Sequence, residues 1–178
     1  MNLTIDSIIE GVLKNEGGYV NDPRDAGGET NWGVTAKVAR AKGYSGPMKA
    51  MPREFAFEIY RGQYVVQPGF GRVGNLSMPI AAELVDTGVN MGPAVASRFL
   101  QRALNLLGDG GLVVDGVLGA ASLNALKAFL DKRGAEGERR LLALLNAFQG
   151  TRYAELAEGR SANRAFIYGW LGRIMEAA

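Results

Sequence analysis

The sequence contains no cysteine and no histidine among its 178 residues. Without cysteine there can be no disulfide, no thiolate zinc site and no cysteine nucleophile. Without histidine there can be no serine–histidine–aspartate triad and no histidine-ligated zinc site. We therefore expect neither a metal nor a cofactor, and any acid–base chemistry falls to carboxylates, lysine or tyrosine.

Long hydrophobic runs are also missing. No window approaches the roughly 20 apolar residues that a membrane span needs, and the first residues lack the basic and apolar regions of a signal peptide. With 47% hydrophobic and 21% charged residues, the composition is that of a folded globular protein. We expect a monomer that is made in the cytoplasm without a signal peptide and does not insert stably into a membrane.

Positive and negative charges nearly balance each other, and the formal net charge is +2. The surplus of basic groups lies in residues 91–178, which suits an anionic partner, although an ordinary solvated surface is the simpler interpretation. The isoelectric point near 9.0 would also allow nucleic-acid binding. Because no recognition motif accompanies it, we expect no nucleic-acid partner.

Hydrophobic periodicity predicts a mainly helical protein. In residues 4–16, isoleucine, valine and leucine recur at the spacing of one helix face. Residues 17–33 are rich in glycine, asparagine, aspartate and proline, which predicts a long ordered loop or small irregular hairpin after the first helix. Residues 108–119 predict a turn or short hairpin. Further helices are predicted over 35–42, 52–64, 79–89 with Ser77 as N-cap, from Pro93 onward, and over 120–131, 138–157 and 163–176.

Glu16 is the first candidate for chemistry. At 100° per residue it lies about 20° from Ile5, near the middle of the apolar stripe of the first helix. Partial desolvation and the negative end of the helix dipole both disfavour a charged carboxylate there. A carboxylic acid that still holds its proton is what glycoside hydrolysis requires of its acid catalyst. The alternative is a terminal helix residue that simply turns to solvent.

Glycoside hydrolysis normally needs a second carboxylate. We favour Asp25; Asp22 precedes a proline and suits a turn, so it is the alternative second carboxylate or a substrate-binding residue. The hydroxyl of Thr30 could position a water or make a hairpin hydrogen bond. Gly28 would let a sugar approach the backbone, or would serve a tight turn only.

The segment from Glu16 to Gly33 resembles the signature of glycoside hydrolase family 108, which includes phage endolysins and N-acetylmuramidases. The matching residues are Glu16-Gly17-Gly18-Tyr19-Val20-Asn21-Asp22-Pro23, Asp25, Gly27-Gly28, Thr30, Gly33-Val34-Thr35, Tyr60 to Tyr64, Asp86, Asn90, Gly92, Asp115-Gly116-Val117-Leu118-Gly119 and Gly169-Trp170-Leu171. The resemblance implies a lysozyme-like, mainly α fold. It also implies cleavage between N-acetylmuramic acid and N-acetylglucosamine, with Glu16 as catalyst.

The same resemblance implies the organisation of the chain and its partner. Residues 1–91 would form the lysozyme-like catalytic region, and residues 92–178 a helical peptidoglycan-binding-like region packed into the same globular unit. In the latter, Asp115–Gly119 resembles part of a wall-binding repeat, although a turn that begins a helix is the plainer interpretation. The expected partner is bacterial peptidoglycan, reached in the periplasm after release by a separate factor such as a holin.

The spacing of Glu16, Asp25 and Thr30 is similar to that of phage-type lysozymes, where the threonine usually lies one residue further on. This similarity favours inversion of configuration. Trp32 and Tyr64 are candidates to stack on sugar rings, and the resemblance adds Asn90 to the substrate-binding residues. Two alternatives stay open: a non-catalytic peptidoglycan-binding or secretion-assisting module, and a lytic transglycosylase.

Overall fold

The computed structural model describes residues 3–21 and 28–177. Within them the protein is mainly helical, with a small antiparallel sheet after the first helix, as the sequence predicts. The elements are α1 (Ile5–Glu16), β1 (Thr30–Asn31), β2 (Val34–Thr35), α2 (Ala36–Ala41), a 3₁₀ turn (Met48–Ala50), α3 (Arg53–Tyr60), a π-helical turn (Arg61–Val66), α4 (Phe70–Gly74), α5 (Met78–Met91), α6 (Pro93–Leu107), α7 (Ala120–Gly159), a second 3₁₀ turn (Ser161–Ala165) and α8 (Ile167–Ala177). In the described part of the chain, no helix is both long and apolar enough to cross a membrane.

The chain divides into two compact units, residues 1–67 and 68–178. Each has its own buried apolar core: Leu13 and Met48 are buried in the first unit, and Leu84, Leu100 and Leu141 in the second. The expected division into a catalytic region, residues 1–91, and a peptidoglycan-binding-like region, residues 92–178, stays a prediction.

Helix α1 carries the predicted apolar stripe and has Glu16 as its last residue. Thr4 caps it, because its hydroxyl accepts a hydrogen bond from the Ser7 amide at 3.1 Å while the Thr4 amide donates to the Ser7 hydroxyl at 2.9 Å. Ile9 and Leu13 are buried on the face that the periodicity predicts. The helix ends after Glu16, where Gly17 takes a φ of +79°.

The sheet is a hairpin with a two-residue turn. Its residues pair as Thr30 with Thr35 and Asn31 with Val34. The turn residues between them, Trp32 and Gly33, both have positive φ, at 53° and 71°, as a type I′ turn requires. The side chain of Asn31, which is buried, donates a hydrogen bond to the Met48 carbonyl at 2.8 Å and so anchors the hairpin on the 3₁₀ turn.

The helix predicted over 52–64 is present, with Pro52 as its N-cap, but its second half is wider than an α-helix. Residues 61–66 form a π-helical turn, in which the Gln67 amide donates to the Gly62 carbonyl, five residues earlier, at 3.0 Å. Periodicity could not predict this change, since one wide turn hardly alters the spacing of apolar residues. Such turns are frequent at functional sites.

In the second unit, α5 and α6 begin where the sequence predicts. Ser77 caps α5 by accepting a hydrogen bond from the Ile80 amide at 3.2 Å, and Pro93 is the first residue of α6. Helix α5 packs against both α6 and α7. Residues 108–119 form an irregular loop held by the buried Gln101, whose amide group donates to Asp115 Oδ1 at 2.8 Å and whose oxygen accepts from the Gly116 amide at 2.9 Å.

Helix α7 contains the two helices predicted over 120–131 and 138–157, which meet at a kink. It runs for 40 residues, and Gly134, with φ 57° and ψ −153°, is the residue outside helical geometry. The prediction of two helices is therefore confirmed, although the interruption between them is shorter than predicted. Helix α4 and the 3₁₀ turn at 48–50 were not predicted, because each is too short for periodicity to show.

Candidate active site around Glu16

Glu16 is half-buried at the end of α1, next to the turn of the hairpin. A Cβ atom placed on Gly33 would lie 2.9 Å from Glu16 Oε2 and 2.4 Å from the hydroxyl oxygen of Tyr60. Both oxygens therefore lie against the Gly33 backbone, where the Cβ atom of any other residue would be. A larger residue at position 33 would displace the Glu16 carboxyl or the Tyr60 hydroxyl.

Two tyrosines accompany the carboxyl group. Tyr60, at the end of α3, is buried, and Tyr64 follows one turn later in the π-helical segment with the two ring centroids 5.4 Å apart. Burial raises the pKa of Tyr64, and the negative charge of Glu16 raises it further. The Glu16 carboxylate is thus close enough to Tyr64 for its charge to act on the phenol.

The remaining predicted residues of the first unit lie on or beside the hairpin. Thr30 is half-buried on β1, and its backbone exchanges two hydrogen bonds of 2.9 Å with Val20. The Trp32 indole donates to the Met51 carbonyl at 3.2 Å, and the Arg53 guanidinium lies 5.9 Å from its ring centroid. Gly28 is exposed with a φ of +69°. The roles of Thr30, Trp32 and Gly28 stay predictions.

Asp22 and Asp25 lie outside the described residues, so the choice between them as second carboxylate also stays a prediction. Asn90 belongs to the second unit, where its side-chain amide donates to the Asp86 carbonyl at 2.8 Å. Its assignment to the substrate-binding residues is likewise a prediction.

A further contact near the hairpin was not anticipated. The Tyr19 hydroxyl donates a hydrogen bond to Glu29 Oε1 at 2.8 Å. That bond is the main cause of a raised pKa of Tyr19, with burial and the charge of Glu29 adding to it. The pair joins the two ends of the segment that carries Asp22 and Asp25.

Sequence reasoning also missed Tyr60, because aromatic residues in helices are more often core than site. The ring of Tyr60 is indeed buried, and only the structure places its hydroxyl beside Gly33 and Glu16. The spacing of Tyr60 and Tyr64 by four residues on one helix face was the available signal.

The arrangement offers oxygen groups that can give or hold protons. In the described ranges, no three acidic side chains are grouped closely enough to hold a metal ion. A half-buried carboxyl beside phenol hydroxyls can act as a proton donor to a bound sugar oxygen.

Comparison with known proteins places this site in a family context. Residues 9–92 match the family model described as Glycosyl hydrolase 108, and residues 95–175 match one described as Predicted Peptidoglycan domain. No curated protein matches the chain. Ten chains of solved structures match. SagA of Brucella abortus is similar over 96% of this chain and 89% of its own, with 28% identity and a TM-score of 0.69.

Proposed function

From the premise that the chain belongs to the glycosyl hydrolase 108 family and continues into a predicted peptidoglycan domain, we propose that it is an N-acetylmuramidase. Its substrate would be the bond between N-acetylmuramic acid and N-acetylglucosamine in the glycan strands of peptidoglycan. Its place of action would be the bacterial cell wall, as in an endolysin.

The observation that carries the proposal is the position of the Glu16 carboxyl. It is half-buried, it lies beside a residue without a side chain, and the Tyr60 hydroxyl shares the same space. A glycan bound beside the hairpin would bring its bridging oxygen within reach of Glu16. Glycoside hydrolysis needs an acid in such a position.

In the proposed reaction, Glu16 gives its proton to the bridging oxygen as the bond to the anomeric carbon breaks. The leaving sugar departs as an alcohol, and the positive charge that develops on the other sugar is quenched by water. Asp25, or Asp22 in its place, would take the proton of that water, with Thr30 helping to hold it. Tyr60 would act as a positioning residue, since its hydroxyl lies beside the Glu16 carboxyl against the Gly33 backbone.

The test is Glu16→Gln, which preserves the shape of the side chain and removes its proton. We expect hydrolysis of purified sacculi to fall by at least about a hundredfold, the usual contribution of a general acid, while circular dichroism and the melting temperature stay near wild type. Glu54→Gln, in the first turn of α3, is the matched control and should keep full activity. Wild-type rates in Glu16→Gln would remove Glu16 from the mechanism.

The products distinguish the alternatives. Mass spectrometry of the released muropeptides should show reducing N-acetylmuramic acid ends. Anhydromuramic ends would instead identify a lytic transglycosylase, and binding to sacculi without any product would identify a non-catalytic module.

A further inference from the structure

The break in α7 coincides with a groove on the second unit. Two cavities, of about 80 and 400 Å³, adjoin at this place and share four lining residues. Those shared residues are Leu107, Phe129, Lys132 and Arg133. The larger cavity spans the break, since its walls come from both sides of Gly134.

The helix is closely packed at the break, with no room for a side chain at position 137. A Cβ atom on Gly137 would lie 2.2 Å from Arg133 Cβ and 3.4 Å from the ring of Phe129. Gly134 holds a backbone conformation outside the helical region, with a φ of +57°. The two glycines together allow the helix to bend around the groove.

The groove has an apolar floor and a charged rim. Phe129 is buried and Leu107 half-buried, so they form the floor. On the rim, Lys132 is paired with Asp109 at 3.0 Å, and Arg140 with Glu136 at 3.0 Å.

Arg133 differs from these two cations. It is exposed on the rim, and within the described part of the chain no carboxylate pairs with it and no hydrogen bond of its side chain is found. A guanidinium in this situation can take a carboxylate through two parallel hydrogen bonds.

We propose that this groove binds the stem peptide of peptidoglycan, with the Arg133 guanidinium holding a peptide carboxylate. The inference rests on the proposed function, which makes peptidoglycan the partner. Stem peptides carry free carboxylates together with alanine methyl groups, which matches a free guanidinium over an apolar floor. The bare glycan matches less well, because sugars stack on exposed aromatic faces and the aromatic lining residue, Phe129, is buried.

The test compares two forms of the same wall polymer. Full-length protein carrying Glu16→Gln, which leaves the polymer intact, is sedimented with intact sacculi and with stripped glycan strands. The stripped strands are made by removing the peptides with an amidase and converting the lactyl carboxylates exposed by that cleavage to amides. We expect clearly tighter binding to intact sacculi, and we expect Arg133→Ala to weaken that binding about tenfold without changing binding to the stripped strands.

Arg152→Ala is the matched control, since Arg152 is an exposed arginine of the same helix, paired with Glu155 at 2.9 Å. It should bind intact sacculi like the parent. Equal binding of Arg133→Ala and the parent, or equal binding of the parent to intact and stripped polymer, would overturn the inference. Failure of the proposed function can be distinguished from these outcomes. It would appear as a lack of cleavage of sacculi by the wild-type enzyme, whether or not the protein binds them.

Discussion

At the scale of single residues, position 33 controls the geometry around Glu16. The turn needs a positive φ there, which glycine adopts without strain, and the space above its Cα is occupied by the oxygens of Glu16 and Tyr60. Two independent constraints, one of the backbone and one of packing, therefore select glycine.

We expect Gly33→Ala to lower hydrolysis of sacculi by at least about tenfold, because the added methyl must displace the carboxyl or the hydroxyl, and a small misplacement of a catalytic group is costly. The rate on purified sacculi, compared with the melting temperature, measures this.

Gly43→Ala is the matched control for Gly33→Ala. Gly43 also has a positive φ, of 92°, but a Cβ atom there would meet nothing within 4 Å. It should show a similar backbone strain of about 1 kcal/mol and keep its activity. If Gly33→Ala is as active as Gly43→Ala, the proposed closeness of Glu16 and Tyr60 has no part in catalysis.

At the scale of elements, the start of α5 is stabilised by the Ser77 hydroxyl, which makes two hydrogen bonds. Ser77 Oγ accepts from the Ile80 amide and donates to Glu138 Oε1 at 2.9 Å, which ties α5 to α7. Because Ser77 is buried, water cannot easily replace either bond.

Ser77→Ala should therefore reduce the free energy of unfolding by about 1–2 kcal/mol, the range found for lost N-caps. Urea denaturation followed by circular dichroism measures the change. Thr151→Ala removes an exposed hydroxyl that only donates to the Ala147 carbonyl, and it should cost less than about 0.5 kcal/mol. Equal stability of the two variants would contradict the role given to the cap.

At the scale of the whole molecule, a buried acid makes stability depend on pH. Glu83 is 3% exposed on α5, and the described residues offer no hydrogen-bond partner to its Oε2. Burial raises the pKa of Glu83 to about 8, the charge of Asp86 adds to the rise, and a hydrogen bond from Thr87 opposes it. Gln149, also buried, donates to Asp86 from the facing helix α7.

The folded protein then keeps the Glu83 proton up to about pH 8, whereas the unfolded chain releases it near its ordinary value of 4.5. Folded protein binds more protons between these values, so the free energy of unfolding falls as pH rises, by up to about 1.4 kcal/mol per pH unit. We expect Glu83→Gln to remove this decline. Unfolding in urea at pH 5.5 and pH 8.5 measures it.

The exposed Glu158→Gln is the control and should retain the pH dependence of the wild type. If the wild type and Glu83→Gln lose the same stability between the two pH values, Glu83 is not the group responsible.

Several elements of the fold could be predicted from local signals. The cap at Ser77 and the proline that begins α6 were predicted, because each depends on neighbours within three or four residues. The break in α7 was located only approximately, because two nearby glycines allow an interruption without specifying which one takes it.

By itself, the sequence determined that this protein is mainly helical, that any acid–base catalysis falls to carboxylates, lysine or tyrosine, and that Glu16 ends an amphipathic helix. Only the tertiary structure decided that Gly33 and Tyr60 meet at Glu16, and that a groove lies at the bend of α7 beside Arg133, which has no carboxylate partner among the described residues. The physical reason is range: helix phase and capping act between near neighbours, whereas residues 16, 33 and 60 come together only when separate elements pack into one core.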